Sequence, residues 1–62
     1  MLSKWFEDNR IPLSDETFNI LNEIGVEAPV DLKDLDSEDI ENICSTLKKL
    51  QVVRFKKAVV ES

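Results

Sequence analysis

Six carboxylates fall within eleven residues, at Asp31, Asp34, Asp36, Glu38, Asp39 and Glu41, the densest cluster of reactive side chains in the sequence. Carboxylates at this spacing could ligate calcium, work as a paired acid and base, or form an anionic docking surface. A calcium loop needs ligands that alternate toward a glycine turn and close on a bidentate glutamate. The segment from Asp31 to Asn42 has no glycine and places Leu35 in its middle, so calcium is set aside. Acid–base catalysis needs a cleft, which the short helices of a 62-residue chain do not enclose. The single cysteine, Cys44, has no histidine nearby and no cationic cluster before Lys48 to lower its pKa. It reads as a small apolar residue of the core, not as a nucleophile. The chain has no histidine at all, which removes the commonest general base and metal ligand. These absences predict a protein that is not an enzyme and needs no cofactor and no metal. The docking surface is the reading that survives.

Charge distribution gives that reading a direction. Residues 1–47 carry twelve acidic side chains against three basic ones, whereas residues 48–60 carry five basic and no acidic ones. A small globule with an acidic pole and a basic pole can attract a second copy of itself, or a partner charged like one of its poles. Part of the acidic run has a structural purpose, with Asp36 as a helix N-cap and Glu38 and Asp39 as partners of the helix dipole. Asp31, Asp34 and Glu41 have no evident capping duty. With Asp39 they form the candidate acidic interaction surface. On the other pole, Lys56 and Lys57 suit a helix C-terminus, but Lys48 and Lys49 lie at a helix start, where positive charge is mildly unfavourable. Lys48, Lys49, Arg54 and Lys57 are the candidate basic interaction surface. Leu50 and Val53 could anchor a contact there, although the simpler expectation places both in the core.

A lone cysteine cannot close an intramolecular disulfide, which points to a reducing, intracellular setting, cytoplasmic or nuclear. No apolar run approaches the roughly 20 residues that span a bilayer, and the first residues lack the apolar stretch of a secretory signal. The pI of about 4.5 argues against general binding to nucleic acid or anionic membranes. The chain therefore reads as one soluble domain over residues 1–62, cut from something longer.

Helix signals recur along the chain and strand signals are weak. Leu2 to Asn9 reads as a short helix carrying Trp5 and Phe6, ended by Pro12 through its bias on Ile11. Ser14 is a good N-cap, with Asp15 and Glu16 in the first turn. Phe18, Leu21 and Ile24 give this second helix its apolar stripe, and Gly25 closes it at the C′ position. Pro29 opens a very short third helix with Leu32 and Leu35 inward. Asp36 caps a fourth, with Ile40, Ile43 and Leu47 inward, in which Ser45 and Thr46 weaken the pattern. The last runs from about Leu50 to Val60. It has two stripes, one of Val52, Phe55 and Val59 beside Ala58, and a second of Leu50, Val53, Lys57 and Val60. Trp5, Phe6, Phe18 and Phe55 all read as core.

The order and spacing of these pieces resemble the sterile alpha motif (SAM) domain family. The matching residues are Trp5-Phe6, Leu21 followed by Ile24-Gly25-Val26, Asp31-Leu32, Leu35, Glu38-Asp39-Ile40, and the closing Val53-Arg54-Phe55-Lys56-Lys57-Ala58-Val59. The resemblance implies an all-α fold, a compact five-helix bundle with a longer C-terminal helix. It also implies a module that binds other SAM-like domains, itself or a different one, head to tail. The acidic middle surface of one domain would dock on the start of the basic last helix of the next. Many members carry a glycine after the fourth helix and another near the start of the fifth. Here Ile43-Cys44-Ser45-Thr46-Leu47 and Leu50-Gln51-Val52-Val53-Arg54 stand instead, which predicts a longer or more continuous junction. Some members bind an RNA hairpin through the same basic region. The acidity of residues 1–47 disfavours RNA here, and a monomer serving an unrelated protein partner is the remaining alternative.

Overall fold

The computed structural model describes residues 2–61. They form α1 (Leu2–Asp8), α2 (Asp15–Glu23), a 3-10 helix (Pro29–Asp34), α3 (Ser37–Cys44) and α4 (Lys49–Glu61). Among the described residues there is no strand, so the expected all-helical architecture of five helices is what the chain adopts. The molecule measures 24 × 21 × 20 Å. α2 packs on α3, and α4 packs on both α3 and the 3-10 helix.

Each boundary has a local cause. Ser14 accepts a hydrogen bond from the Thr17 amide, and Asp36 accepts one from the Asp39 amide, so the two expected N-caps are in place. Gly25 takes φ +88° at the end of α2. The Gly25 amide donates to the Asn22 carbonyl and the Val26 amide to that of Leu21, which is a Schellman closure. α1 ends in the same way two residues before Pro12. The Arg10 amide donates to Glu7 and the Ile11 amide to Phe6, and Arg10 itself takes φ 57°. Proline is therefore not what stops α1. A left-handed arginine is, held there because Ile11 buries beside Phe6 just as Val26 buries beside Leu21.

The core consists of Leu2, Phe6, Ile11, Leu21, Val26, Leu32, Ile43 and Phe55. Trp5 is half-buried and meets Phe6 and Phe55 edge-on, with ring centroids 5.2 and 6.0 Å away. Cys44 is half-buried, and burial pushes its thiol above the ordinary 9.0. On α2 the inward stripe differs from the expected one. Thr17, Ile20 and Leu21 face the core, whereas Phe18 is 49% exposed and Ile24 is exposed too. The polar exception at the core is tightly bonded. Thr17 Oγ1 lies 2.6 Å from Thr46 Oγ1 and 3.0 Å from Ser14 Oγ, and the Thr46 hydroxyl donates to the Ile43 carbonyl. Each hydroxyl has one proton, so the direction is fixed: Ser14 donates to Thr17, Thr17 to Thr46, and Thr46 to the backbone.

The junction before α4 is neither long nor continuous. Four residues, 45–48, separate two distinct helices. The Ser45 and Thr46 hydroxyls turn back onto the carbonyls of Asn42 and Ile43, which ends α3 where a glycine would otherwise do so. Lys48 then caps α4: its carbonyl accepts from the Val52 amide, and its amide donates to the Gln51 side chain. That side-chain return is one half of a capping box.

Candidate functional site

α4 is 13 residues long, begins at Lys49 directly after its cap Lys48, and has no acid in its first turn. Phe55 and Ala58 are buried, with Val52 and Val59 half-buried beside them, so the first of its two stripes faces the core. The second stripe faces out. Leu50 is 65% exposed, Val53 56% and Val60 84%. Leu50 and Val53 are thus not core residues, contrary to the simpler expectation, because α4 lies over the bundle with one side and has no helix against the other. At 100° per residue, Lys49, Leu50, Val53, Lys56, Lys57 and Val60 fall within an arc of about 120°. The outer face of α4 therefore interleaves aliphatic and cationic side chains, with Leu50 at one margin and Lys56 at the other.

The four expected basic residues do not all belong to this face. Lys49 and Lys57 do, and Lys48 stands exposed at its start. Arg54 does not. The residue is half-buried, and its guanidinium donates to the Arg10 carbonyl at 3.1 Å in a solvent-exposed bond that ties α4 to the end of α1. Arg54 is a structural clamp on the strained residue that ends α1. A cleft of about 290 Å³ opens beside it, where Arg10, Arg54 and Lys57 face Asp8 and Glu61. Its mixed charge selects no ligand of one sign.

The acidic candidates lie on two neighbouring elements, Asp31 and Asp34 on the 3-10 helix and Asp39 and Glu41 on α3. Asp34 and Glu41 are exposed, and Asp39 is half-buried in the first turn of α3. Asp31 is corrected in its role, because it has a capping duty after all. One of its carboxylate oxygens accepts from both the Glu27 and Ala28 amides, at 3.0 and 3.1 Å. It fixes the turn between α2 and the 3-10 helix, where Pro29 at the helix start has no amide to offer. Val30, beside Asp31 on the same short helix, is 66% exposed. Among the described residues no carboxylate lies within ion-pair distance of a lysine or arginine, although α4 packs on both elements that carry the acidic candidates.

A second depression lies between the start of α1 and α2. Leu2, Leu13, Phe18, Asn22, Val26 and Glu27 line an open groove of about 410 Å³. Nothing in the sequence marked it, since Phe18 sits at a spacing that reads as core. The one available signal is that Thr17, Ile20 and Leu21 already supply an inward stripe at the same helical spacing. Among the described residues no group of carboxylates and thiols converges to hold a metal ion, and no helix is long and apolar enough to cross a membrane. Comparison of the chain with protein-family models, with curated proteins and with solved structures found no match.

Proposed function

We propose that the chain is a non-catalytic protein-interaction module, similar to a SAM domain, that associates head to tail with copies of itself or with related domains. The observation that carries this reading is the outer face of α4, where Leu50 and Val53 stand exposed among Lys49, Lys56 and Lys57. A monomer gains nothing by displaying two adjacent aliphatic side chains on a helix that could have carried polar ones. Burying the exposed parts of Leu50 and Val53 at a contact would contribute on the order of 2–4 kcal/mol together. Exposed ion pairs to Asp34 and Glu41 would add only about 0–1 kcal/mol each. Charge therefore orients and accelerates the encounter, and the aliphatic side chains set its lifetime.

The resemblance to SAM domains is supported by the order of elements, two helices, a short 3-10 helix and two more helices, ending in the 13-residue α4. Its acidic surface and its basic helix are different patches, so the contact is heterologous and forms open chains or closed rings. RNA is the weaker reading, because the outer face of α4 carries no aromatic side chain on which a base could stack.

The test is molar mass by light scattering over a concentration series at low and high salt. Mass should rise with concentration and fall with salt, and Val53→Glu should hold the chain monomeric. A wild-type chain that stays monomeric throughout would overturn self-association.

A further inference from the structure

We infer that the groove between the start of α1 and α2 is the seat for Leu50 and Val53 of a second copy. This rests on the head-to-tail reading and supplies the apolar acceptor that an acidic surface alone lacks. Four features of the groove fit that occupant. Its lining is mostly apolar, with Leu2, Leu13, Phe18 and Val26 beside the polar Ser3 and Asn22, and Phe18 is half-exposed. Its volume of about 410 Å³ suits a few side chains rather than a whole helix. Leu50 and Val53 project from one side of α4 with about 4.5 Å of axial rise between them, a compact pair of knobs. Charge also matches: among the described residues the charged one lining the groove is Glu27, whereas Lys49 and Lys57 flank the aliphatic pair.

The groove is also continuous with the acidic surface. The Asp31 carboxylate holds the amides of Glu27 and Ala28, so the rim of the groove and the first acidic residue are parts of one rigid turn. A lysine arriving on the acidic side therefore delivers the aliphatic pair beside it into the groove. On this geometry Asp34 and Glu41 steer the encounter, and Phe18 and Val26 receive the anchor.

The experiment uses two variants, Phe18→Lys and Val53→Glu, whose exposed positions leave the core intact. Each alone should be monomeric by light scattering where the wild type assembles. Mixed in equal amounts they should form a species of two chains and grow no further, since one keeps its α4 face and the other its groove. Glu27→Lys should weaken assembly about tenfold or more and flatten its salt dependence. If Phe18→Lys assembles like the wild type while Val53→Glu does not, α4 docks elsewhere: the groove proposal falls and the interaction module stands. Monomeric Phe18→Lys of full helical content that fails to pair with Val53→Glu also overturns the groove. A wild type that never assembles removes the groove proposal together with self-association.

Discussion

At Thr17 the chain buries a hydroxyl where the inward stripe of an amphipathic helix would ordinarily place a methyl group. The side chain is fully buried and bonded on both sides, to Ser14 and to Thr46. Thr17→Val keeps the volume but strands the Ser14 donor and the Thr46 acceptor, so it should cost about 1–3 kcal/mol in urea unfolding. Gly25 makes a backbone demand of a different kind. A Cβ there would meet nothing within 4 Å, yet φ is +88°. Gly25→Ala should therefore lose roughly 1–2 kcal/mol through conformation alone, and Gly25→Asn less, which thermal unfolding of the pair would resolve. Cys44 is shielded enough that burial raises its pKa, with Glu41 adding to the rise and Lys56 opposing it. The folded thiol thus holds its proton at pH values where the unfolded one has lost it. Stability should be unaffected by this group at neutral pH and should fall as pH climbs past the ordinary 9.0. Alkylation of the folded chain at pH 8 should run slower than that of the unfolded chain.

Among the elements, α4 holds two requirements in opposition. Lys49 places a positive charge in its first turn, against the helix dipole, on a face that stands exposed. Lys49→Glu should raise the stability of the monomer by about 0.3–1 kcal/mol in denaturant, yet weaken assembly. A purely structural lysine would not separate the two readouts. Arg54→Ala should do the reverse, loosening the clamp on Arg10 by roughly 1 kcal/mol while leaving the outer face of α4 intact. These elements were unevenly legible in the sequence. Ser14, Gly25, Pro29 and Asp36 announce themselves because capping and turn chemistry act within a few residues of chain. The left-handed Arg10 was masked by Pro12, a more conspicuous stop signal, although the five-residue step from Phe6 to Ile11 repeats that from Leu21 to Val26. Asp31 passed as a free acid because its partners are backbone amides, which no side-chain pattern reveals. The orientation of α4 was undecidable from periodicity, since a helix with two apolar stripes offers both equally to the core. Only the tertiary packing, with Phe55 and Ala58 buried and Phe55 against Trp5 and Phe6 of α1, chooses between them. Phe18 was misplaced for a similar reason: its stripe competes with that of Thr17 and Leu21 on the same helix.

For the whole molecule, about 20 Å across, the span between faces is only two to three Debye lengths at physiological ionic strength. Within one molecule α4 packs against the elements that carry the acidic residues, so what salt screens on assembly is the attraction between two molecules, weakly at low salt and strongly at physiological salt. Assembly should accordingly show its steepest salt dependence below about 0.1 M, with the residual mass at higher salt reporting the aliphatic contact alone. A chain this short is also marginally stable, so a loss of 1 kcal/mol should lower the melting temperature by about 4–8 °C, which makes each substitution above readable by heat. The bond between Thr17 and Thr46 spans 29 positions of sequence and joins α2 to the turn before α4. Removing either hydroxyl alone leaves its partner stranded, whereas replacing both with valine removes the need that each creates, so the double change should cost less than the two single changes summed. Seen across generations, that is a constraint on descent: in any lineage built on this fold, positions 17 and 46 are expected to change in step, as two hydroxyls or two aliphatic groups.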